Sequence, residues 1–293
     1  MNEKSKSIFS KVPKVLYENR YCNQEGFSVL ICGGYDKNKK ITNEVLELEI
    51  PSFRVNRFPS MVKPHSYFFA ATIKSDVVAI GENQETDMFL DKSLLFIEIY
   101  SEKTKTWNHQ YIQIDDRICF GVRSFLSKLY LIGGYNNSSC KTVSSCYIYD
   151  IKSKIWNEIA RLNVARECAA CTVFEGNIVV TGGDNDMSDL KSVEAYDYHE
   201  NKWTYLPDMN EKRINHAAVS MGNKLFVIGG DIRYNCEVLD SFSRKFTIIN
   251  SEIKEFDFEM NFNAFSIRNN ILVFQVTFTE TVVYLYDVDK ENW

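Results

Sequence analysis

A chain of 293 residues with 45% hydrophobic and 14% aromatic side chains has ample material for a packed core. Its 34 basic and 39 acidic residues leave a net charge of −5 with no basic run, which argues against a nucleic-acid surface. No apolar stretch approaches bilayer length and the polar start (MNEKSKS) lacks the apolar core of a secretory signal, so the expectation is a soluble cytoplasmic protein engaging neither membrane nor nucleic acid.

In chain order, residues 1–13 are polar around one apolar pair, Ile8 and Phe9, and end at Pro13. An apolar run at 29–32 then meets Gly33 and Gly34, and a second at 77–80 meets the single Gly81. From there a fuller pattern sets in. The run 128–132 ends in Gly133-Gly134, Tyr149-Asp150 follows, and Trp156 stands seven residues after that tyrosine. The same order returns at Gly182-Gly183, Tyr196-Asp197 and Trp203, then at Gly229-Gly230, Leu239-Asp240 and Phe246. The glycine pairs begin at 133, 182 and 229, steps of 49 and 47 residues. A last copy, at 272–276, has lost both glycines but keeps Tyr286 and Trp293 seven apart. Six copies of a period near fifty make a repeat protein.

Each copy divides into four short strands. In the fourth copy these are 167–174, 178–181, 191–198 and a strand opening at Trp203, separated by the turns 175–177 and 200–202 and the polar loop 184–189. Glycine and asparagine supply the positive φ such turns require. No window has helical periodicity, and four strands per repeat select a propeller among all-β architectures.

The Gly-Gly, Tyr-Asp and Trp signals at this period resemble the kelch motif, and residues 14–293 are similar to the kelch domains of the BTB–BACK–kelch family. The resemblance implies an all-β, six-bladed kelch β-propeller with four antiparallel strands per blade. It implies a non-enzymatic protein-binding role as the substrate-recognition module of a cullin-type ubiquitin ligase, the BTB portion lying on another polypeptide or outside this chain. An actin-associated or scaffold binder is the alternative. The glycine pairs and tryptophans read as blade-building residues.

Trp293 ends the chain where an outer strand should begin, and residues 8–13 share with 203–207 an apolar pair running into a proline. Within the segment 1–13, residues of about 6–12 are therefore expected to pair with 282–287 and close the last blade; the alternative is a disordered tail, with the outer strand lying in sequence outside this chain.

Alternate loops of an up-and-down meander share one face. One set there carries Tyr35, Tyr135, Asn136, Asp184 and Asp231; the other carries His65, Arg117, Arg166, Glu167 and Arg213. Arginines repeated at one position either brace neighbouring blades through loop carbonyls or touch a partner. The expected partner-binding set takes the second reading and comprises these ten residues, holding a short acidic or mixed-charge peptide.

No catalytic residue, metal or cofactor is expected. The histidines at 65, 109, 199 and 216 are scattered, and no phosphate loop, nucleophile elbow or HExxH is present. Of the eight cysteines, 22, 32, 119, 168 and 171 are placed inside strands as small apolar residues, which assigns Cys168-Ala-Ala-Cys171 to packing, while Cys140 and Cys146 are expected to be the exposed thiols.

Overall fold

The computed structural model describes residues 6–9, 16–23, 26–34, 40–50, 52–65, 68–73, 75–82, 95–112, 114–115, 117–230, 235–249, 261–276 and 281–293. All regular structure among them is β, in six four-stranded antiparallel sheets and one small three-stranded sheet. No helix there is long and apolar enough to cross a membrane.

The fourth sheet shows how the sequence builds each unit. Ala170–Phe174 turns through Glu175 and Gly176, both at positive φ, into Asn177–Thr181, with Ala170 opposite Thr181 and Phe174 opposite Asn177. The second strand is buried along nearly its whole length because neighbouring sheets cover both of its faces, which is why it reads as a continuous apolar run rather than an alternation. Val193–Asp197 and Lys202–Leu206 complete the sheet. The seven-residue spacing of the aromatics is a cross-strand pair: Tyr196 lies opposite Trp203, with ring centroids 5.2 Å apart. Tyr149–Trp156 and Tyr100–Trp107 repeat it at 4.9 and 5.4 Å, and the Tyr286 and Trp293 rings meet at 5.0 Å although Trp293 lies outside the strands. The aspartate after the tyrosine shapes the turn, since Asp197 Oδ1 accepts from the amides of His199 and Glu200 at 2.8 and 3.2 Å. Those amides hold its carboxyl below the usual carboxylate range.

The first strands are neighbours in cyclic order: Leu16–Asn23, Phe68–Ile73, Gly121–Phe125, Ala170–Phe174, Ala217–Met221, Asn261–Ile267 and back to Leu16–Asn23. The apolar core is divided among the joints of this ring. Tyr130, Ile178, Tyr196 and Trp203 fill the joint of the third and fourth sheets; Val179, Val193, Leu225 and Phe246 fill that of the fourth and fifth. Trp203 Nε1 also donates to the Ala160 carbonyl at 2.9 Å, in the connector from the preceding sheet. The glycine pair belongs to the joint as well. Gly182 has φ +58°, and a Cβ there would stand 2.4 Å from the carbonyl oxygen of Arg213 in the next sheet.

In the sixth sheet Thr281–Asp287 is flanked on its outer side by Lys6–Phe9, antiparallel, with Lys6 opposite Val283 and Ser7 opposite Val282. The outer strand of that sheet thus comes from the other end of the chain.

The cysteines divide differently from the sequence reading. Cys32 and Cys146 are buried in strands, and burial pushes the Cys146 thiol up to about 12. Cys146 is therefore not an exposed thiol; Cys140 is. Cys119 and Cys168 lie outside the strands, half-buried, in the segments that lead into Gly121–Phe125 and Ala170–Phe174.

Candidate functional site

The loops after the glycine pairs and the connectors into the first strands meet on one face of the ring, and the repeated arginines sit inside that junction. The Arg166 carbonyl accepts from the Gly134 amide of the third sheet at 2.9 Å. Its Nη1 donates to the carbonyls of Gly182 and Ser192 at 2.7 and 3.1 Å, and its Nη2 reaches Glu194 Oε1 at 2.6 Å. Glu194 is fully buried and also accepts from the Asn163 amide, the Asn163 side chain and the Val164 amide, at 2.8, 2.8 and 3.2 Å. One carboxylate thereby fastens the connector from the third sheet to the third strand of the fourth.

Arg213 and Glu237 repeat the device. Nη1 donates to Gly229 and Asn235 carbonyls at 2.6 and 3.0 Å, and Nη2 to Glu237 at 2.9 Å. Glu237 accepts from the Asn210 amide at 2.6 Å and the Glu211 amide at 3.1 Å, while Gly183 donates to the Arg213 carbonyl at 2.8 Å. In the third sheet Tyr147 occupies the glutamate position. Arg117 still donates to the carbonyls of Gly133 and Ser145, at 2.8 and 3.0 Å, but takes its carboxylate from Asp115 and lays its guanidinium 5.1 Å from the Tyr147 ring. In the second sheet His65 stands at the arginine position, with Nε2 3.1 Å from Glu98, and Gly34 donates to its carbonyl at 2.7 Å.

These contacts decide between the two readings of the arginines in favour of bracing. Arg117, Arg166, Arg213 and His65 are 0, 1, 1 and 4% exposed, so no partner can lean on them. A guanidinium this deep is tolerated because a carboxylate and loop carbonyls together take most of its donors, all but the Arg166 Nε. Asn136, also expected as a contact, is buried; its side-chain oxygen accepts from the Ser139 amide at 2.7 Å and holds a turn. Tyr35 and Asp231 lie outside the described residues.

Three members of the expected set reach the surface of this face. Tyr135, Glu167 and Asp184 are half-exposed. Glu167 and Asp184 exchange backbone hydrogen bonds at 2.9 and 3.0 Å, which pins the loop after the glycine pair to the strand entry. Asp186 joins them, exposed, accepting from the Thr142 amide of the adjoining loop at 3.0 Å. Burial, with Asp184 and Asp186 beside it, raises the Glu167 carboxyl above its ordinary range. No lysine or arginine among the described residues forms an ion pair with these three carboxylates. Met187 projects from the same loop, 91% exposed. The sequence signal that would have separated brace from rim is the glutamate two residues before Tyr196-Asp197 and Leu239-Asp240, at 194 and 237: a charge inside a strand buried on both sides demands a partner.

The histidines do not assemble. His216 is buried with Nε2 2.8 Å from Thr181 Oγ1, and burial together with Arg213 lowers it to about 3, so it stays neutral. His109 stacks on Phe96 in the second sheet and His199 lies in a turn of the fourth.

Sheets of four antiparallel strands, joined in a ring through glycine pairs and cross-strand aromatics, define a kelch-repeat propeller. A family model described as the KLHDC2/KLHL20/DRC7 Kelch-repeats domain matches residues 70–274, and the chain belongs to that kelch-repeat family. It is similar to Kelch-like protein 41b of Danio rerio, 30% identical over 176 residues that cover 59% of this chain and 28% of the relative. Kelch-like protein 38 of Mus musculus is 26% identical over 230 residues, 75% of this chain and 34% of the relative. Alpha-scruin of Limulus polyphemus is 30% identical over 162 residues, 53% of this chain and 17% of the relative. The matched region spans about a third or less of each of these relatives.

Proposed function

We propose that this chain is a non-enzymatic protein-binding propeller that holds a basic segment of a partner protein against the rim formed by Glu167, Asp184 and Asp186, with Tyr135 alongside. One observation carries the reading: the arginines of this face are enclosed and paired, whereas its exposed carboxylates have no described cation opposite them. The sign of the expected partner is therefore reversed from the acidic peptide that repeated arginines suggested. Unpaired surface carboxylates favour a lysine- or arginine-rich segment, steered in by charge and weakened by salt.

Recognition of substrate for a cullin-type ubiquitin ligase is the more specific role we propose. The Kelch-like relatives extend far beyond the matched region, which suits a module that selects a partner while other portions act on it. Actin or scaffold binding is the second reading. It is favoured by exposed apolar side chains on consecutive outer strands, Tyr205 at 56% and Ile248 at 51%, which offer a broad lateral surface.

Affinity capture from lysate separates these readings when native chain is compared with Glu167→Gln/Asp184→Asn and with Tyr205→Ser/Ile248→Ser, alongside co-sedimentation with actin filaments. The rim variant is expected to lose a salt-sensitive bound protein and to keep its melting temperature. Unchanged capture by the rim variant, with loss in the outer-strand variant, would overturn the rim reading in favour of the lateral one.

A further inference from the structure

We infer that Cys119, Cys168 and Glu167 form a binding site for a thiophilic divalent cation, zinc by chemistry, at the seam between the third and fourth sheets. The inference goes beyond partner recognition, although the site shares Glu167 with the proposed rim. The Sγ atoms of both cysteines and a carboxylate oxygen of Glu167 all lie within 4.8 Å of one another. Tetrahedral coordination with bonds of ~2.3 Å to sulfur places two sulfurs about 3.8 Å apart, so side-chain rotation alone closes the set around an ion.

The two cysteines occupy the same place in successive repeats, 49 residues apart. The Cys168 amide donates to the Cys119 carbonyl at 2.9 Å, which locks the two backbones side by side. Neither residue is explained by its backbone conformation. Both have φ near +50°, as does Asn215 at the matching place in the fifth sheet, and asparagine is the residue type that region favours. They also differ from the described strand cysteines in their surroundings. Cys32, Cys146 and Cys236 belong to the buried apolar clusters and Cys171 packs against one, while Cys119 and Cys168 stand outside all of them.

Thiolates select soft cations such as zinc over magnesium or calcium. On loading, each thiol passes its proton to solvent as its metal–sulfur bond forms, so two protons leave for each ion bound. Three protein ligands leave the fourth tetrahedral position open, to water or to a donor atom on whatever the rim holds. Asp184 and Asp186, next to Glu167, add negative potential at the approach.

The test uses freshly reduced, metal-free full chain titrated with zinc against a chromophoric chelator, in native form and as Cys119→Ser, Cys168→Ser, the double variant, and Cys140→Ser as the control thiol. One equivalent of tightly held zinc is expected in the native and Cys140→Ser proteins. The double variant should bind at least about 100-fold more weakly, the upper end of what even an outer-sphere change costs. Substitution by cadmium supplies a second readout: its thiolate charge-transfer absorption should fall by half in each single variant. Melting curves of metal-free protein should match across the set, because both side chains are half-exposed. Zinc held equally well by the double variant, lost on Cys140→Ser, or never retained against the chelator by the native chain would overturn the site. Each readout is made without a partner, so a failure here leaves the rim reading standing.

Discussion

The joints of the fourth and fifth sheets use identical parts, and the joints of the second and third use substitutes for them. Arg166–Glu194 and Arg213–Glu237 are buried charge pairs with matching carbonyl acceptors. The third sheet keeps the arginine but exchanges the buried glutamate for a tyrosine ring and an aspartate that is 31% exposed. The second keeps the glutamate but exchanges the arginine for His65. What persists through these changes is the backbone arrangement. A glycine amide of the sheet before donates to the main-chain carbonyl of His65, Arg166 and Arg213, and wherever the brace residue is arginine the carbonyl of the first glycine in its own sheet accepts a hydrogen bond from the guanidinium. The repeat conserves a set of acceptors to be satisfied and leaves the satisfying residue open.

The sharpest way to break this comparison is to remove a brace where the carboxylate has no other outlet. Arg166→Ala leaves Glu194 charged, buried and uncompensated, and should cost about 3–5 kcal/mol. Chemical denaturation measures it, and Arg166→Met combined with Glu194→Gln should recover part of the loss. A single-variant loss under ~1 kcal/mol would show that the pair is not what holds the joint.

A smaller loss is expected at the substituted joint. After Arg117→Ala the partly exposed Asp115 can turn to water, so the cost reduces to the stranded acceptors at Gly133 and Ser145, about 1–3 kcal/mol. A loss equal to that of Arg166→Ala would mean that solvent access of the carboxylate makes no difference between the joints.

The mildest effect is expected from the chain end. Deleting residues 1–12 removes Lys6–Phe9 and exposes the flank of Thr281–Asp287. The melting temperature should fall by about 4 °C or more, since ~1 kcal/mol moves it by roughly 2–4 °C in chains of comparable size. Light scattering should reveal association through the freed edge. An unchanged melt with a monodisperse chain would show that this pairing contributes nothing to closure.

The architecture was legible because its signals are local and periodic. Gly182-Gly183, Tyr196-Asp197 and Trp203 announce a strand end, a turn and a cross-strand pair without knowledge of anything distant. The brace was not, because Arg166 meets Glu194 at 28 residues' separation and a charge repeated on a loop looks the same whether it faces water or a covered carboxylate. Glu194 itself sits in a stretch whose alternation reads as one buried and one wet face, yet both faces are covered. Meander parity alone grouped Glu167 with Asp184, whose backbones are hydrogen-bonded to each other. The neighbourhood of Cys119 and Cys168 was within reach of the sequence too, since their spacing equals the repeat; assigning both to strands hid it.

The glycine–arginine contacts carry one more consequence. Arg166 receives a hydrogen bond from Gly134 in the sheet before it and gives one to Gly182 in its own, so losing either sheet strands polar groups in the other. Open solenoids, whose repeats touch through simple nearest-neighbour faces, can shed units from an end. Here the covalent unit and the load-carrying unit are out of phase, the joints braced by Arg166 and Arg213 each being assembled from two repeats. Failure of one braced sheet is therefore expected to spread to both sides, so that a thermal melt followed by two probes shows one coincident transition.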